Sequence, residues 1–505
     1  MAPFLPEVFS PEDRGASTAA RSQRWTYVLL VVVIGLGSID GARMWTDGAG
    51  HIGLPYPTGV TELYIADGIG AVARGEPIYP PLDSLPFVVR VYNPLTYLPG
   101  GLLARLFTDD FDGLLIAGRV LPFASGLAFL LLAGVWSQRR FGRSTLTVFL
   151  PVLLMVMHSS TMTDFFRNRP EMPGLLLIFA GWFAFDLRLR RWPVVSALCF
   201  AGAFAFKQSF IAAPAAVSLL LLIERDARMV ATFGGTLLAS VLVVVLGAWL
   251  TLGDGYFDHT FFLLAANPVH PLRASASFYP ILIRDHWQLI FPGAVVALVW
   301  LLAAGRERPL CVYLGLCLAW TSWSHGKFGA DLNYHGELSI LLALVIVTAT
   351  HRMLEQGSRW APLPVAAVLA FLVFGTLTHG VGWNRVCLNR IRPTPHCEPG
   401  PPATGDVRPT SEALRTRGAN LLILQPEIAL RTGRVVALDT ALLTLLFEQG
   451  RLDLELVLGP VRARRHTTIV LPLHPTGYLR QVAAVAEAAG YRSVHRSRSH
   501  IELRR

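Results

Sequence analysis

The feature that most constrains this chain is a repeated pattern in which apolar runs long enough to form membrane-crossing helices are separated by short connections carrying arginine. Such a chain buries most of its helices in hydrocarbon, where every backbone polar group must be satisfied inside a helix or a closed barrel. Hydrophobic residues make up 53% of the 505 and charged residues only 15%, so the length does not divide into ordinary soluble domains. The cations behind the formal charge of +10 are almost wholly arginine, and between the apolar runs they cluster in the short connections. That is the positive-inside distribution, and it accounts for the charge without a nucleic-acid partner.

The first apolar run, Trp25 to Gly37, follows a polar segment, residues 1–26, that holds Arg14, Arg21 and Arg24. The long polar lead favours an uncleaved first helix with a cytoplasmic N-terminus over a removable signal. Within the polar stretch that comes next, residues 94–107 are too short and interrupted to span, and an interfacial or re-entrant helix is expected there. Further spans are expected near 113–136, 145–163, 172–187, 193–206, 209–223, 230–252, 287–304, 310–324, 337–350 and 361–379, about eleven in all with the first. The inner connections then carry Arg139, Arg140 and Arg143, then Arg188, Arg190 and Arg191, and later Arg225, Arg228, Arg306, Arg308, Arg352 and Arg359.

An odd number of spans places the C-terminal region outside. There a Pro/Gly-rich linker leads into apolar stretches at Leu421–Leu424 and Thr468–Leu471 that alternate with helical patterns at 436–449 and 478–490, the pattern of a small α/β domain. The expected organisation is a cytoplasmic segment (1–26), a transmembrane domain (27–379) with its first outer loop at 47–112, and an extracytoplasmic α/β domain (380–505). Cys387 and Cys397 can pair if that side is oxidising, whereas Cys199, Cys311 and Cys317 lie in apolar runs as small hydrophobes.

With this topology the unusual polar residues gather on one face. Glu62 stands in the segment Thr58–Leu98 just before an amphipathic run, with Asp40 at the outer end of the first helix and Asp67 nearby. Lys207 and Lys327 are the two lysines of the chain, and a compact ammonium serves phosphate as a point charge where a planar fork does not. Arg167 and Arg169 run against the charge bias beside Glu171, which either pairs with Arg169 or favours its helix N-terminus. Several cations on one face compensate the desolvation of an anionic headgroup, whether a ligand's or an ordinary phospholipid's. His270, His286, His325 and His335 read as acid/base groups, metal ligands or hydrogen-bonded interfacial histidines, since none has HExxH spacing. Asp331 with Asn333 is a weak pointer to a divalent cation, and no metal-ligand motif is present.

The segments Thr61-Glu62-Leu63-Tyr64, Gly75-Glu76-Pro77-Ile78-Tyr79 and Tyr92-Asn93-Pro94-Leu95 resemble the first-loop pattern of GT-C fold polyprenyl-phosphate-dependent glycosyltransferases, of the family 39-like and bacterial mannosyltransferase types. Arg169-Pro170-Glu171, Phe206-Lys207-Gln208 and Gly329-Ala330-Asp331-Leu332-Asn333-Tyr334 with Glu337 are similar to later elements of that family, in the same order. The resemblance implies an α-helical polytopic membrane protein that moves a sugar, with inversion, from a polyprenyl-phosphate-linked donor to a hydroxyl of a glycan, lipid or protein acceptor. It implies work on the outer face of a bacterial inner membrane, among membrane lipids, in cell-envelope glycan or glycolipid synthesis; the one candidate cofactor, a divalent cation, comes from Asp331 and Asn333 and not from the resemblance.

Carried over to this sequence, Glu62 is the base that takes the acceptor's proton. Asp40 and Asp67 are its alternatives, because relatives carry Asp or Asp-Glu where this chain has a lone Glu. Arg167, Arg169, Lys207 and Lys327, with Glu171 and Gln208 beside them, form the phosphate site, and Tyr64, Asn333 and Tyr334 orient sugar hydroxyls. Two other classes stay open: a flippase or transporter of lipid-linked sugars, which should show related halves, and a non-catalytic subunit of an envelope assembly complex.

Overall fold

Helices form where the apolar runs lie. In the computed structural model the described residues are 11–57, 60–82, 85–108, 110–142, 145–157, 164–271, 291–303, 307–327, 332–358, 360–369, 404–416, 420–432, 440–473, 475, 477–497 and 500–505. The chain begins with α1 (Pro11–Ile52), α2 (Val60–Arg74), α3 (Leu98–Phe107), α4 (Phe111–Phe141) and α5 (Thr145–Met157). It continues with α6 (Glu171–Asp186), α7 (Trp192–Phe206), α8 (Ala212–Glu224), α9 (Ala227–Leu252), α10 (Phe291–Ala303), α11 (Arg308–His325) and α12 (Gly336–Glu355). A helical run at 362–369 falls in the last expected span; the rest of that span, the 380–403 linker, Cys387, Cys397, His286 and Asp331 lie outside the described residues.

Among the described residues α4, α9 and α12 are long and apolar enough to cross a membrane, and shorter apolar helical stretches lie at Gln23–Leu36, Thr145–Leu154, Trp192–Phe206, Ala212–Glu224 and Ala294–Ala303. α9 turns Leu238, Val243 and Leu250 outward, as a helix facing lipid does. α12 is the opposite case: it is buried along nearly its whole length and packs against α5, α10 and α11 at the centre of the bundle.

Two expectations change. α1 is helical from Pro11 through Ile52, so Asp40 lies inside a helix rather than at its outer end, and the polar lead is helical from residue 11. The first loop, expected to hold one amphipathic run and one interfacial helix, is a folded hairpin of α2 against α3. Its close approach depends on Gly101, where an added Cβ would collide with the Val72 side chain.

The C-terminal region is the expected α/β unit. Its helices are α13 (Thr404–Arg415), α14 (Pro426–Thr432), α15 (Thr440–Glu448), α16 (Glu455–Arg462) and α17 (Tyr478–Ala488). Strands β1 (Leu421–Ile423), β2 (Thr468–Pro472), β3 (Arg492–Arg496) and β4 (His500–Arg504) form one sheet in the order β1-β2-β4-β3. The β1/β2 pair is parallel and the other two pairs are antiparallel.

This unit shares a core with the membrane part. Phe87 and Val89 of the first loop and Leu263 join Leu422, Leu443, Ile469 and Tyr478 in one apolar cluster. Leu430 of α14 packs on Leu63, Ala66, Phe111 and Leu115, between α2 and α4. Beside it the Arg431 guanidinium donates to Asp112 Oδ1 (2.7 Å), Glu427 Oε1 (3.0 Å) and the Pro55 carbonyl (2.6 Å), and lies 4.8 Å from the centre of the Phe111 ring. These bonds are nearly dry, so they resist opening more than surface pairs do. Arg431→Ala should therefore loosen the seam, and amide hydrogen exchange over 426–432 should quicken at least about tenfold while the centre of α12 stays protected.

Candidate functional site

The site end of the bundle is organised by Arg119, a fully buried guanidinium on α4. Its Nε and one Nη donate to the two oxygens of Glu62, at 3.1 and 3.0 Å. The remaining N–H groups donate to the carbonyls of His51 (3.1 Å), Leu54 (2.7 Å) and Tyr56 (2.8 Å). Glu62 Oε1 also accepts the backbone N–H of Asn168 at 2.7 Å. Asn168 comes this close because Gly118, next to Arg119, has no side chain to block it. Glu62, expected to be the base, is thus 0% exposed, and its oxygens accept from Arg119 and from the Asn168 N–H, the latter bond fixing the Arg167–Arg169 segment.

A second knot joins Asp67 to Arg90, whose Nε and Nη2 donate to Asp67 Oδ2 at 3.0 and 2.5 Å. Arg90 Nη1 reaches the carbonyls of Pro77 and Ile78, and its backbone N–H donates to His259 Nδ1 (3.1 Å). Since Nδ1 accepts, the ring proton of His259 sits on Nε2, which donates to the Pro80 carbonyl at 2.7 Å. Asp67 and Arg90 border a cleft of about 710 Å³ between the first loop and the C-terminal unit, with Glu412, Arg415 and Arg431 opposite. Its carboxylates and guanidiniums offer hydrogen bonds to a hydroxylated ligand.

The third group centres on Lys207. The ammonium lies 2.9 Å from Glu171 Oε1 and 4.5 Å from the centre of the Tyr334 ring, and it is 5% exposed. It follows α7, where the helix ends with Lys207 in an extended conformation, while Glu171 opens α6. Gln208 ties this turn to the first loop through the Val91 carbonyl and to the segment after α9 through the Thr260 carbonyl, both at 2.9 Å. Asn93 and Thr96 add bonds to the carbonyls of Phe204 and Phe206. Arg167, Arg169, Glu171 and Lys207 all act on the buried Asp164 carboxyl.

The expected site residues therefore separate. Arg167, Arg169, Glu171, Lys207 and Tyr334 come together, and Glu171 pairs with Lys207 rather than serving Arg169 alone. Tyr64 borders the apolar patch that receives Leu430. Lys327 is half-buried and forms no ion pair among the described residues, and its backbone bridges to Val269. Asn333 precedes Tyr334 in a 3-10 turn, and Glu337 accepts from the Tyr313 hydroxyl at 2.6 Å. His325 and His335 face each other with their Nε2 atoms 2.5 Å apart. Among the described residues no group of three His, Cys, Asp or Glu is arranged to hold a metal ion. Arg119 and Arg90 were missed by the sequence reading; the signal for Arg119 was a charge in the middle of an expected span.

Helix order, the folded first loop and the appended sheet define a GT-C fold, a polytopic helical membrane protein with a small C-terminal α/β domain. One solved structure it resembles is ArnT from Cupriavidus metallidurans bound to undecaprenyl phosphate, with a TM-score of 0.61 and 14% identity over 92% of this chain and 96% of ArnT. ArnT in the apo state gives 0.59 and 12% over 92% and 97%. No family model matches the chain, and no curated protein sequence matches it.

Two outcomes follow from the knots. Glu62→Gln leaves Arg119 buried without its counter-charge, and thermal unfolding should register a loss of about 3–5 kcal/mol. Burial holds the His259 ring down at about 4, although the Pro80 carbonyl pulls the other way. A histidine lowered this far stabilises the fold above its unfolded value near 6.5, and the contribution is lost as pH falls from there through 4. Lowering the pH from 7 to 5 should cost about 2 kcal/mol in wild type and much less in His259→Gln, read as the difference in melting temperature.

Proposed function

We propose that this chain is an integral membrane glycosyltransferase that moves a sugar, with inversion, from a polyprenyl-phosphate-linked donor to an acceptor hydroxyl on the outer face of a bacterial inner membrane. In this reading residues 1–26 are cytoplasmic, 27–379 form the membrane domain and 380–505 face the outside. One observation carries it: a buried ammonium, Lys207, stands with Arg167 and Arg169 about one acidic centre, in a fold whose structural neighbour ArnT was crystallised with undecaprenyl phosphate.

Transfer of this kind asks the protein to stabilise a phosphate that gains charge as the glycosidic bond breaks. Cations held in a dry site do that strongly, because little solvent must rearrange as the charge develops. Lys207, Arg167 and Arg169 are the phosphate contacts. Glu171 keeps Lys207 paired while the site is empty, which limits the cost of burying an ammonium. The Tyr334 ring lies against that ammonium and Asn333 precedes it in the chain; both are assigned to the sugar hydroxyls, since both residue types donate and accept hydrogen bonds.

The test is release of polyprenyl phosphate from a panel of polyprenyl-phosphoryl sugars by purified protein. Acceptor-dependent release supports transfer, and movement of the same lipids across proteoliposomes without release supports a transporter instead. Lys207→Met combined with Glu171→Gln removes both charges and leaves neither partner stranded. This double variant should keep its melting temperature within a few degrees yet bind undecaprenyl phosphate about a hundredfold more weakly, as measured by ligand-induced thermal shift.

A further inference from the structure

Asp164 is the acidic centre of the Lys207 region, and the phosphate contacts leave its own chemistry unassigned. It lies in a helical stretch at 164–166, just ahead of α6. The turn is held in place by its neighbours: Phe165 and Phe166 are buried and pack edge-on against Trp45 of α1. Asp164 itself is 2% exposed, and its Oδ2 has no hydrogen-bond partner among the described residues. A buried carboxylate oxygen without a donor is costly, and it persists where something other than stability keeps it.

Three other described carboxylates near this end of the bundle are held in ion pairs. Glu62 is occupied by Arg119 and the Asn168 N–H, Asp67 by Arg90, and Glu171 by Lys207. The first loop, where the sequence places the reactive acid, thus offers carboxylates already tied into ion pairs.

We propose that Asp164 accepts the proton of the acceptor hydroxyl, and that Glu62 is a positioning residue that fixes the neighbouring arginine segment through Asn168. The step rests on the glycosyl-transfer reading and balances as follows. The acceptor oxygen forms its bond to C1 of the donor sugar while the C1–O bond to polyprenyl phosphate breaks. The electron pair of that bond leaves with the phosphate, beside Lys207, Arg167 and Arg169. The hydroxyl proton passes to Asp164 Oδ2.

The electrostatics suit this role. Burial first, and the charge of Glu171 second, push the Asp164 carboxyl up to about 7, against the opposing pull of Arg169, Arg167 and Lys207. A base with that proton affinity is poised for transfer near neutral pH, where a solvated aspartate is a weak acceptor.

The experiment compares wild type, Asp164→Asn and Asp164→Glu in kcat, KM for the donor, melting temperature and the pH profile of kcat/KM. Asp164→Asn is expected to lower kcat by about 10²–10⁴-fold with KM within a few-fold, to keep the thermal shift by undecaprenyl phosphate, and not to lower the melting temperature. Asp164→Glu is expected to recover part of the rate and to move the acidic limb of the profile. Turnover by Asp164→Asn within tenfold of wild type overturns the inference. Should that variant not fold, an acidic limb left unmoved in Asp164→Glu overturns it equally. A separate failure, wild type that binds undecaprenyl phosphate but releases none from any donor of the panel, overturns the transfer reading itself.

Discussion

The structure depends on one buried guanidinium. Arg119 has five N–H donors and no exposure, so each donor needs a partner inside the protein. It finds them in the end of α1, the strand of chain after it and the first turn of α2, and through Glu62 it reaches the segment before α6. Two regions far apart in sequence, residues 51–62 and the segment at Asn168, are thereby brought to one point on α4. An ion pair of this kind need add little net stability against an apolar replacement, but it fixes which segments meet, because each wrong arrangement strands a charge.

The far end of α4 repeats the device with different partners. Arg140 reaches Glu307 at 2.6 Å and Asp186 at 3.5 Å, Trp136 donates to Asp186 at 2.9 Å, and Arg352 of α12 joins Glu307 at 3.0 Å. Arginines of the short connections thus staple α4, α6 and α12 at the end opposite the candidate site. With both of its ends pinned, α4 acts as a strut on which the first loop and the C-terminal unit are hung.

Much of this was legible in the sequence. The spans follow from apolar length, and the α/β character of the tail follows from Leu421–Leu424 and Thr468–Leu471, which became β1 and β2. Lys207 and the Arg167–Glu171 run stood out because charge at membrane depth is rare. What the sequence could not convey was which charges would find one another. Glu62 looked reactive because it was an acid among apolar neighbours, and only three-dimensional contact shows Arg119, 57 positions on, consuming it. Asp164 was passed over for the converse reason: it sits among arginines and resembles a pairing partner, yet its Oδ2 has no donor among the described residues. The hairpin of α2 and α3 was half visible in Gly100-Gly101, whose meaning depends on Val72 lying opposite.

The apolar cluster shared by the first loop and the C-terminal unit has a consequence for how the protein is made. Phe87 and Val89 leave the ribosome more than three hundred residues before Leu422, Ile469 and Tyr478, the side chains that eventually cover them. Throughout the insertion of the intervening helices the loop presents an unmatched greasy face, and the hairpin of α2 and α3 must hold its shape without that lid. A segment synthesised late thus completes a loop formed early, so a chain stopped before residue 420 keeps its membrane helices but leaves the surface around its candidate site unfinished.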